Sequence, residues 1–185
     1  MKEPTSTTDV QGHLSFPVHG HSVVTCLIFS QNRIISASDD SFIKVYSPVT
    51  GALLHSLEGH EGGVWALAAS KDTLVSSSTD RTIRIWNLSS GACNHVFGGH
   101  TSTVRCLTIV KPEWIDVISE DGATRREKWP KRPLIVTGSR DKLLRVWDLP
   151  REGDAEFKYV VSRTRLLQEL NSLLVVGRRL PDEGC

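Results

Sequence analysis

Two arginines in this sequence lie where their surroundings do not explain them. Arg105 falls in an apolar, β-branched run within GGHTSTVRCL, and Arg140 falls in a turn-like run within GSRDKLLRVWDL. A guanidinium group is planar, has five N–H donors and binds phosphate oxygens in a bidentate manner. Two convergent arginines could therefore bind a phosphoserine or phosphothreonine, whose phosphate carries about −1.5 to −2 charges. The alternative is that each arginine pairs with a neighbouring acidic residue.

The composition predicts one folded, globular domain. The chain has 185 residues, of which 23% are charged and 39% hydrophobic, and its formal net charge is +1. This charge gives no reason to expect a nucleic acid or a membrane surface as partner. No apolar run reaches the ~18 residues of a spanning helix, and the polar N-terminus lacks the core of a signal peptide. We therefore expect an intracellular protein of the nucleus, the cytoplasm or both.

The cysteines give no sign of a metal site. None of the four forms a CxxC pair, and Cys26 and Cys106 lie in strand-like apolar runs. Buried, reduced thiols are favoured over disulfides or a zinc site. We expect no metal and no cofactor.

Three short features recur together along the chain. They are a Gly-His pair, an aspartate at the end of a Ser/Thr-rich segment, and an aromatic residue six positions after that aspartate. Between them run short alternating segments rich in β-branched residues, which predict strands. Four strands per ~40–45 residues are typical of a β-propeller blade. We predict an all-β fold, a partial propeller of about three four-stranded antiparallel blades.

Residues ~14–150 resemble the WD-repeat family. In that family a His, a Ser or Thr, an Asp and a Trp form a buried hydrogen-bonded tetrad in each blade. The resemblance implies three tetrads: His21, Ser36, Asp40 and Tyr46; His60, Ser76, Asp80 and Trp86; His100, Thr137, Asp141 and Trp147. Tyr46 departs from the pattern because it replaces Trp. Because the same four kinds of residue recur in every unit, they indicate a structural role. Catalysis or metal binding by these residues is therefore disfavoured.

The repeat also predicts the organisation of the chain. The expected segments are a disordered N-terminus at 1–13, an orphan outer strand at 14–18, blade 1 at 20–58, blade 2 at 59–98, blade 3 at 99–161 and a non-blade tail at 162–185. Residues 156–161 are the expected outer strand of blade 3, and the tail is either a short amphipathic helix or a sequence with no selected fold. Three blades leave faces and strand edges exposed. We therefore expect a truncated product or one that needs another chain.

The third unit carries an insertion at 111–133 between its first two strands. It contains a basic cluster, formed by Arg125, Arg126, Lys128, Lys131 and Arg132. A solvated loop is the favoured interpretation, and a nuclear localisation signal is the alternative.

Strand direction predicts where the two arginines lie. Successive strands of a meander alternate in direction, so the connection that enters a blade and the turn after its second strand lie at the same end. Arg105 and Arg140 are therefore predicted neighbours, and the insertion lies at the opposite end. The corresponding positions of the second unit hold Trp65 and Thr79.

The resemblance is closer still to one branch of the family. The runs NRIISASDDSFIKVYSPVTG, GHEGGVWAL, STDRTIRIWN, GHTSTVRCL and GSRDKLLRVWDLP resemble the first three blades of the F-box/WD-repeat substrate receptors of SCF ubiquitin ligases, which bind phosphorylated degrons. The resemblance implies that Arg105 and Arg140 hold the phosphate and that Trp65 makes an apolar contact. The implied hydroxyl contributors are Thr79, Ser102 and Thr103.

These observations favour a protein-interaction module, a fragment of a receptor for phosphorylated degrons. Its partners would be a phosphorylated protein substrate and, only if an F-box were supplied upstream, the SCF adaptor. A generic WD-repeat scaffold without phosphate recognition, or a truncated product that does not function alone, remain open alternatives. An enzyme is disfavoured, since the sequence has no nucleophile elbow, no phosphate-cradling glycine loop and no metal-ligand spacing.

Overall fold

The computed structural model describes residues 18–118 and 122–150, and all regular secondary structure in these ranges is β-strand. The strands are β1 (Val24–Ser30), β2 (Arg33–Ser38), β3 (Ile43–Tyr46), β4 (Leu53–Leu57), β5 (Val64–Ser70), β6 (Thr73–Ser78), β7 (Ile83–Asn87), β8 (Cys93–Phe97), β9 (Val104–Val110), β10 (Glu113–Ile118), β11 (Thr124–Trp129), β12 (Leu134–Ser139) and β13 (Leu144–Asp148). Within the described ranges, no helix is long and apolar enough to cross a membrane.

The strands form four antiparallel sheets in the described ranges. Blade 1 has the order β1-β2-β3-β4 and blade 2 the order β5-β6-β7-β8. In blade 3 the described strands have the order β13-β12-β9, and β10 and β11 form a separate two-stranded sheet. This confirms the all-β, partial-propeller fold. The predicted segments at 1–13, 14–17, 156–161 and 162–185 lie outside the described residues.

Two apolar cores lie between neighbouring blades. Ile35 and Ile43 of blade 1 share a buried cluster with Val64 and Leu67 of blade 2. The second core joins blades 2 and 3 and contains Val75, Ile83, Ile85, Phe97, Val104, Ile135 and Trp147. Burial of each large aliphatic side chain contributes about 1.5–3 kcal/mol. The blades are thus held face to face, with β1, β5 and β9 side by side, so equivalent ends of the three sheets line up.

The insertion is a β-hairpin, which corrects the expectation of a loop. β10 and β11 pair from Glu113↔Trp129 to Ile118↔Thr124, and Gly122 has a positive φ of 81°. The aromatic and β-branched residues of EWIDVI favour a strand over a loop. All five residues of the basic cluster are exposed, as a solvated segment requires. The hairpin leaves the sheet after β9 and returns before β12, at the end opposite the turn that carries Arg140.

Candidate functional site

A buried hydrogen-bonded chain ties together the strands of blade 2. Nδ1 of His60 lies 2.7 Å from Oδ2 of Asp80, and Nε2 of His60 lies 2.8 Å from Oγ of Ser76. The indole Nε1 of Trp86 donates to the same Ser76 hydroxyl oxygen at 2.8 Å. Because a carboxylate only accepts, Nδ1 of His60 is the donor to Asp80. In the neutral imidazole, Nε2 then accepts a hydrogen bond from the Ser76 hydroxyl. Every polar group of this hydrogen-bonded set has a partner, which makes its burial tolerable.

Blade 3 repeats this chain with a threonine in place of the serine. His100 contacts Asp141 at 2.7 Å and the hydroxyl of Thr137 at 2.9 Å, and Nε1 of Trp147 donates to that hydroxyl oxygen at 3.0 Å. Burial opposes ionisation of Asp141, but hydrogen bonds from His100 and from the backbone amides of Leu143 and Thr101 lower its pKa to about 2. The carboxylate therefore stays ionised and occupied by structural donors.

The same balance acts on Asp80 in blade 2. Burial opposes its ionisation, yet hydrogen bonds from His60 and Thr82 outweigh the burial and hold the pKa of Asp80 below its usual value. Among the described residues, no group of three or more His, Cys, Asp or Glu side chains could hold a metal ion. These aspartates and histidines serve as structural links between strands.

In blade 1 the structure corrects the sequence prediction. His19, and not His21, is the histidine of the buried hydrogen-bonded set. Nδ1 of His19 lies 2.9 Å from Asp40 and Nε2 lies 2.9 Å from Oγ of Ser36. His19 is 5% exposed, whereas His21 is on the surface. In blades 2 and 3 the glycine precedes the buried histidine; here Gly20, with φ +60°, follows it in a turn. In the run VHGHS, the Gly-His pair therefore identified the wrong histidine.

Tyr46, the predicted substitute for Trp, anchors the start of the described chain. Its hydroxyl donates to the backbone carbonyl of Val18 at 3.2 Å, and Nζ of Lys44 donates to the same carbonyl at 2.7 Å. Burial raises the pKa of the Tyr46 phenol. The phenol thus remains a neutral donor at physiological pH.

A β-bulge occurs at the same place on each innermost strand. The pairing of β1 with β2, of β5 with β6 and of β9 with β12 skips one residue near the start of the inner strand. The skipped residues are Thr25, Trp65 and Arg105. A bulge bends the strand and re-aims its extra side chain. Three neighbouring blades thus present a hydroxyl, an indole and a guanidinium from one equivalent position.

Arg140 is tied to the same end of blade 3 as Arg105. Its backbone amide donates to the carbonyl of Thr103 at 2.9 Å, and the hydroxyl of Ser139 donates to the carbonyl of Ser102 at 3.0 Å. These bonds hold the turn after β12 against the connection that enters β9. Arg105 and Arg140 consequently line one cleft of about 340 Å³.

The remaining walls of this cleft were not predicted. They are formed by Cys106, Gly138, Ser139, Lys142, Leu143 and Leu144. Lys142 follows Asp141 in the same turn as Arg140 and has a φ of +69°. Its position two residues after Arg140 was the sequence signal that could have predicted it as a cleft residue. Within the described chain, neither Arg105 nor Arg140 lies within 4.0 Å of a carboxylate oxygen. The cleft therefore carries three cationic side chains above an apolar wall.

Trp65 belongs to the same surface through Arg105. The guanidinium carbon of Arg105 lies 4.7 Å from the centroid of the Trp65 ring, a cation–π contact. Thr79 is exposed in the corresponding turn of blade 2, where its amide donates to the carbonyl of Gly63 at 2.9 Å. Ser102 and Thr103 are half-buried in the connection beside Arg140. Of the six predicted residues, Arg105 and Arg140 line the cleft. Trp65 contacts Arg105, Ser102 and Thr103 lie in the connection beside Arg140, and Thr79 lies in the equivalent turn of blade 2.

Repeated four-stranded antiparallel blades, packed face to face and each closed by a buried His–Asp link, define a β-propeller repeat protein with a cationic cleft at one end. The model of the family "WD domain, G-beta repeat" matches residues 11–47, 51–87 and 91–148. The chain belongs to this WD40 family.

The similar curated proteins are named as cell division control, WD repeat-containing and F-box/WD repeat-containing proteins. The chain is 52% identical over 143 residues to cell division control protein 4 of Candida albicans, an alignment that covers 77% of this chain and 20% of that protein. It is 42% identical over 146 residues to WD repeat-containing protein pop2 of Schizosaccharomyces pombe, covering 78% and 20%. F-box/WD repeat-containing protein 7 of Drosophila melanogaster is 56% identical over 48 residues, covering 26% and 4%. The chain spans about a fifth of the length of the first two relatives.

Two solved structures share the arrangement of blades. The computationally designed Ika8 protein matches with a TM-score of 0.51 and 31% identity, over 68% of this chain and 33% of that one. A chain in the crystal structure of the mitotic checkpoint complex matches with a TM-score of 0.55 over 71% of this chain and 35% of its own. At 17% identity, the latter supports the fold alone.

Proposed function

We propose that this WD-repeat protein-interaction module binds phosphorylated substrate peptides in the cleft between Arg105 and Arg140. The observation that carries the proposal is that both guanidinium groups line one cleft without a carboxylate partner in the described chain. A hydrogen bond to a charged group contributes about 1.5–3 kcal/mol. Two arginines, each donating to phosphate oxygens, could supply much of the ~8 kcal/mol that a micromolar complex requires.

The surroundings of the cleft suit a peptide rather than a free anion. Trp65 offers a half-buried indole beside Arg105, suited to an apolar residue next to the phosphate. Thr79, Ser102 and Thr103 add hydroxyl groups at the same end of blades 2 and 3. A peptide that runs across these two blades would place its phosphate on the arginines and a neighbouring apolar side chain on Trp65.

The relatives indicate the process in which such binding would serve. Two of them are cell division control proteins and others carry an F-box in their names. We infer that the chain acts in substrate recognition for SCF-type ubiquitination, in the nucleus or cytoplasm, without catalysing a reaction itself. Contact with the SCF adaptor would require an F-box upstream of the blades.

Binding of a labelled peptide with one phosphothreonine and a neighbouring proline tests the proposal. We expect tighter binding of the phosphorylated peptide than of its unphosphorylated form, and a loss of that preference in Arg105→Ala. Arg125→Ala is the matched control, since Arg125 is exposed on the hairpin at the opposite end and pairs with Glu127 at 2.6 Å. Equal affinity for both peptides in the unmutated protein would refute the proposal.

A scaffold role without phosphate recognition is the second candidate, supported by the partly exposed indole of Trp65. Under that alternative, removing the phosphate leaves affinity unchanged, whereas Trp65→Ala weakens binding of both peptide forms equally.

A further inference from the structure

Three equivalent turns lie at the end of the blades that carries the cleft. Each turn follows the second strand of its blade and contains the aspartate of the buried hydrogen-bonded set, with one residue before it and one after it. These flanking residues are Asp39 and Ser41 in blade 1, Thr79 and Arg81 in blade 2, and Arg140 and Lys142 in blade 3. Ser41, Arg81 and Lys142 have φ values of 72°, 71° and 69°. The turns therefore match position by position, and their side chains can be compared directly.

The charge of these flanking side chains changes from blade to blade. The turn of blade 1 carries one carboxylate, that of blade 2 one cation and that of blade 3 two cations. Asp39 thus occupies in blade 1 the position that Arg140 occupies in blade 3. The three turns are consequently cationic beside the cleft and acidic at blade 1.

Asp39 is fixed close to the indole that borders the cleft. Its backbone amide donates to the carbonyl of Val23 at 3.2 Å, and its Oδ1 accepts from the amide of Val23 at 2.9 Å. On its other side Asp39 packs against Gly63, where an added methyl group would lie only 3.0 Å from Cα of Asp39. Gly63 comes two residues before Trp65, whose ring contacts Arg105. The carboxylate therefore lies beside the strand that leads to the cleft.

The carboxylate of Asp39 can accept further hydrogen bonds. Asp39 is exposed, and no cation of the described residues lies within 4.0 Å of its oxygens. The Val23 amide and the Ser38 hydroxyl both donate to Oδ1, which leaves Oδ2 without a partner in the described part of the chain. An ionised carboxylate with an unused oxygen suits the ammonium group of a lysine or the guanidinium group of an arginine.

We propose that Asp39 makes this surface select phosphopeptides that also carry a basic residue, which binds at the turn of blade 1. This inference rests on the proposed function, because it requires the phosphate to occupy the cleft between Arg105 and Arg140. The peptide would cross blade 2 beside Trp65 on its way from the cleft to Asp39. The substrate class is then a peptide with a phosphate at one point and a lysine or arginine at a set distance from it.

The spacing of the blades gives that distance. Packed sheets lie about 10 Å apart, so equivalent turns of blades 1 and 3 are roughly 20 Å apart. An extended peptide rises about 3.3 Å per residue and spans this distance in about six residues. Because the phosphate and the basic side chain both reach out from the peptide backbone, we expect a separation of about four to six residues.

A series of labelled peptides tests the inference on the whole 185-residue chain. Each peptide has one phosphothreonine with a neighbouring proline in an alanine background, and a single lysine is placed in turn at positions about three to seven residues before or after the phosphothreonine. We expect lysine to raise the affinity roughly two- to fivefold at one location on one side, as is typical of an exposed ion pair. Glutamate at that location should lower the affinity. Fluorescence anisotropy at fixed ionic strength gives the affinities.

Two substitutions of Asp39 assign the effect to its charge. Asp39→Asn keeps Oδ1 as acceptor for the Val23 amide and removes only the charge, so the gain from lysine should disappear while the preference for the phosphorylated peptide remains. Asp39→Lys should favour glutamate over lysine at the same location. Asp116→Asn is the matched control, since it removes an exposed carboxylate from the hairpin at the opposite end, and it should keep the gain.

Each other outcome overturns the inference. Equal binding of the phosphorylated and unphosphorylated peptides would refute the proposed function and this inference with it. A retained phosphate preference without a gain from lysine would overturn the role of Asp39 alone. A gain that persists in Asp39→Asn would assign it to another carboxylate, such as exposed Glu61, and an equal gain at all positions would indicate non-specific attraction. Circular dichroism verifies folding, and Asp39→Asn alone decides the result if Asp39→Lys does not fold.

Discussion

The guanidinium of Arg105 lies over the indole ring of Trp65, with 4.7 Å between its carbon and the ring centroid. Both residues are the extra residue of a β-bulge, one on β5 and one on β9. The contact therefore joins equivalent positions of two neighbouring blades. It orients the arginine at the mouth of the cleft that Arg140 also lines.

Replacement of Trp65 should weaken phosphopeptide binding through the loss of this orientation. Cation–π contacts at exposed sites contribute about 0.5–1 kcal/mol, so Trp65→Ala should lower affinity by roughly two- to fivefold from this contact alone. Trp65→Phe keeps an aromatic face and should recover part of the loss. Isothermal titration calorimetry with the phosphorylated peptide measures both. An unchanged affinity in Trp65→Ala would mean that the indole does not orient the arginine for binding.

Lysine should not substitute for either arginine of the cleft in phosphopeptide binding. Lysine keeps the charge but lacks the planar fork that binds two phosphate oxygens at once. Arg140→Lys should therefore weaken binding, and Arg140→Ala should weaken it by about 10- to 150-fold, as expected for one lost hydrogen bond to a charged group. Fluorescence anisotropy at fixed ionic strength gives the affinities. If Arg140→Lys bound like the unmutated protein, charge alone and not bidentate geometry would hold the phosphate.

The two histidines of VHGHS should differ sharply in their effect on stability. His19→Ala leaves the buried Ser36 hydroxyl and the Asp40 carboxylate without their partner, at a cost of about 1–3 kcal/mol. His21→Ala changes an exposed side chain and should stay within about 0.5 kcal/mol. Urea denaturation monitored by circular dichroism compares the two. Equal effects of the two substitutions would contradict the placement of His19 in the buried chain.

Acid should weaken the fold through the buried aspartates. The pKa of Asp141 falls from 3.8 to about 2 in the folded chain, so the folded state favours the ionised carboxylate. A carboxyl with a lowered folded pKa contributes stability above its unfolded pKa, and this contribution is lost as pH falls from about 4 towards about 2. Urea midpoints measured between pH 7 and pH 2 should fall in that window. Asp141→Asn removes the titrating group and should flatten this dependence, whereas a curve of unchanged shape would assign the acid sensitivity to other groups.

Local patterns were sufficient to predict the blades. Alternation of β-branched residues, the turns between them and the recurring aspartate and aromatic positions depend on residues close in sequence, and the structure has strands where these patterns predicted them. Strand direction in a meander follows from the number of turns. For that reason the sequence also predicted that Arg105 and Arg140 would lie at one end and the insertion at the other.

Other features depend on contacts that no local pattern carries. The insertion forms a hairpin because β10 and β11 pair along their whole length, in a register that sets Asp116 opposite Arg126. Lys142 lines the cleft because its turn is held against the connection that enters β9. Neither the register nor this docking is visible in residue types alone.

By itself, the sequence determined the repeated strand pattern of the blades and the end at which the arginines lie. Only the tertiary structure decided that His19 and not His21 is buried, that bulges aim Trp65 and Arg105 at one another, and that the cleft has a third cation. The physical reason is the same in each case. A buried polar side chain must satisfy its hydrogen bonds, and a bulged side chain takes its direction from the neighbouring blade, so both depend on the packing of segments far apart in the chain.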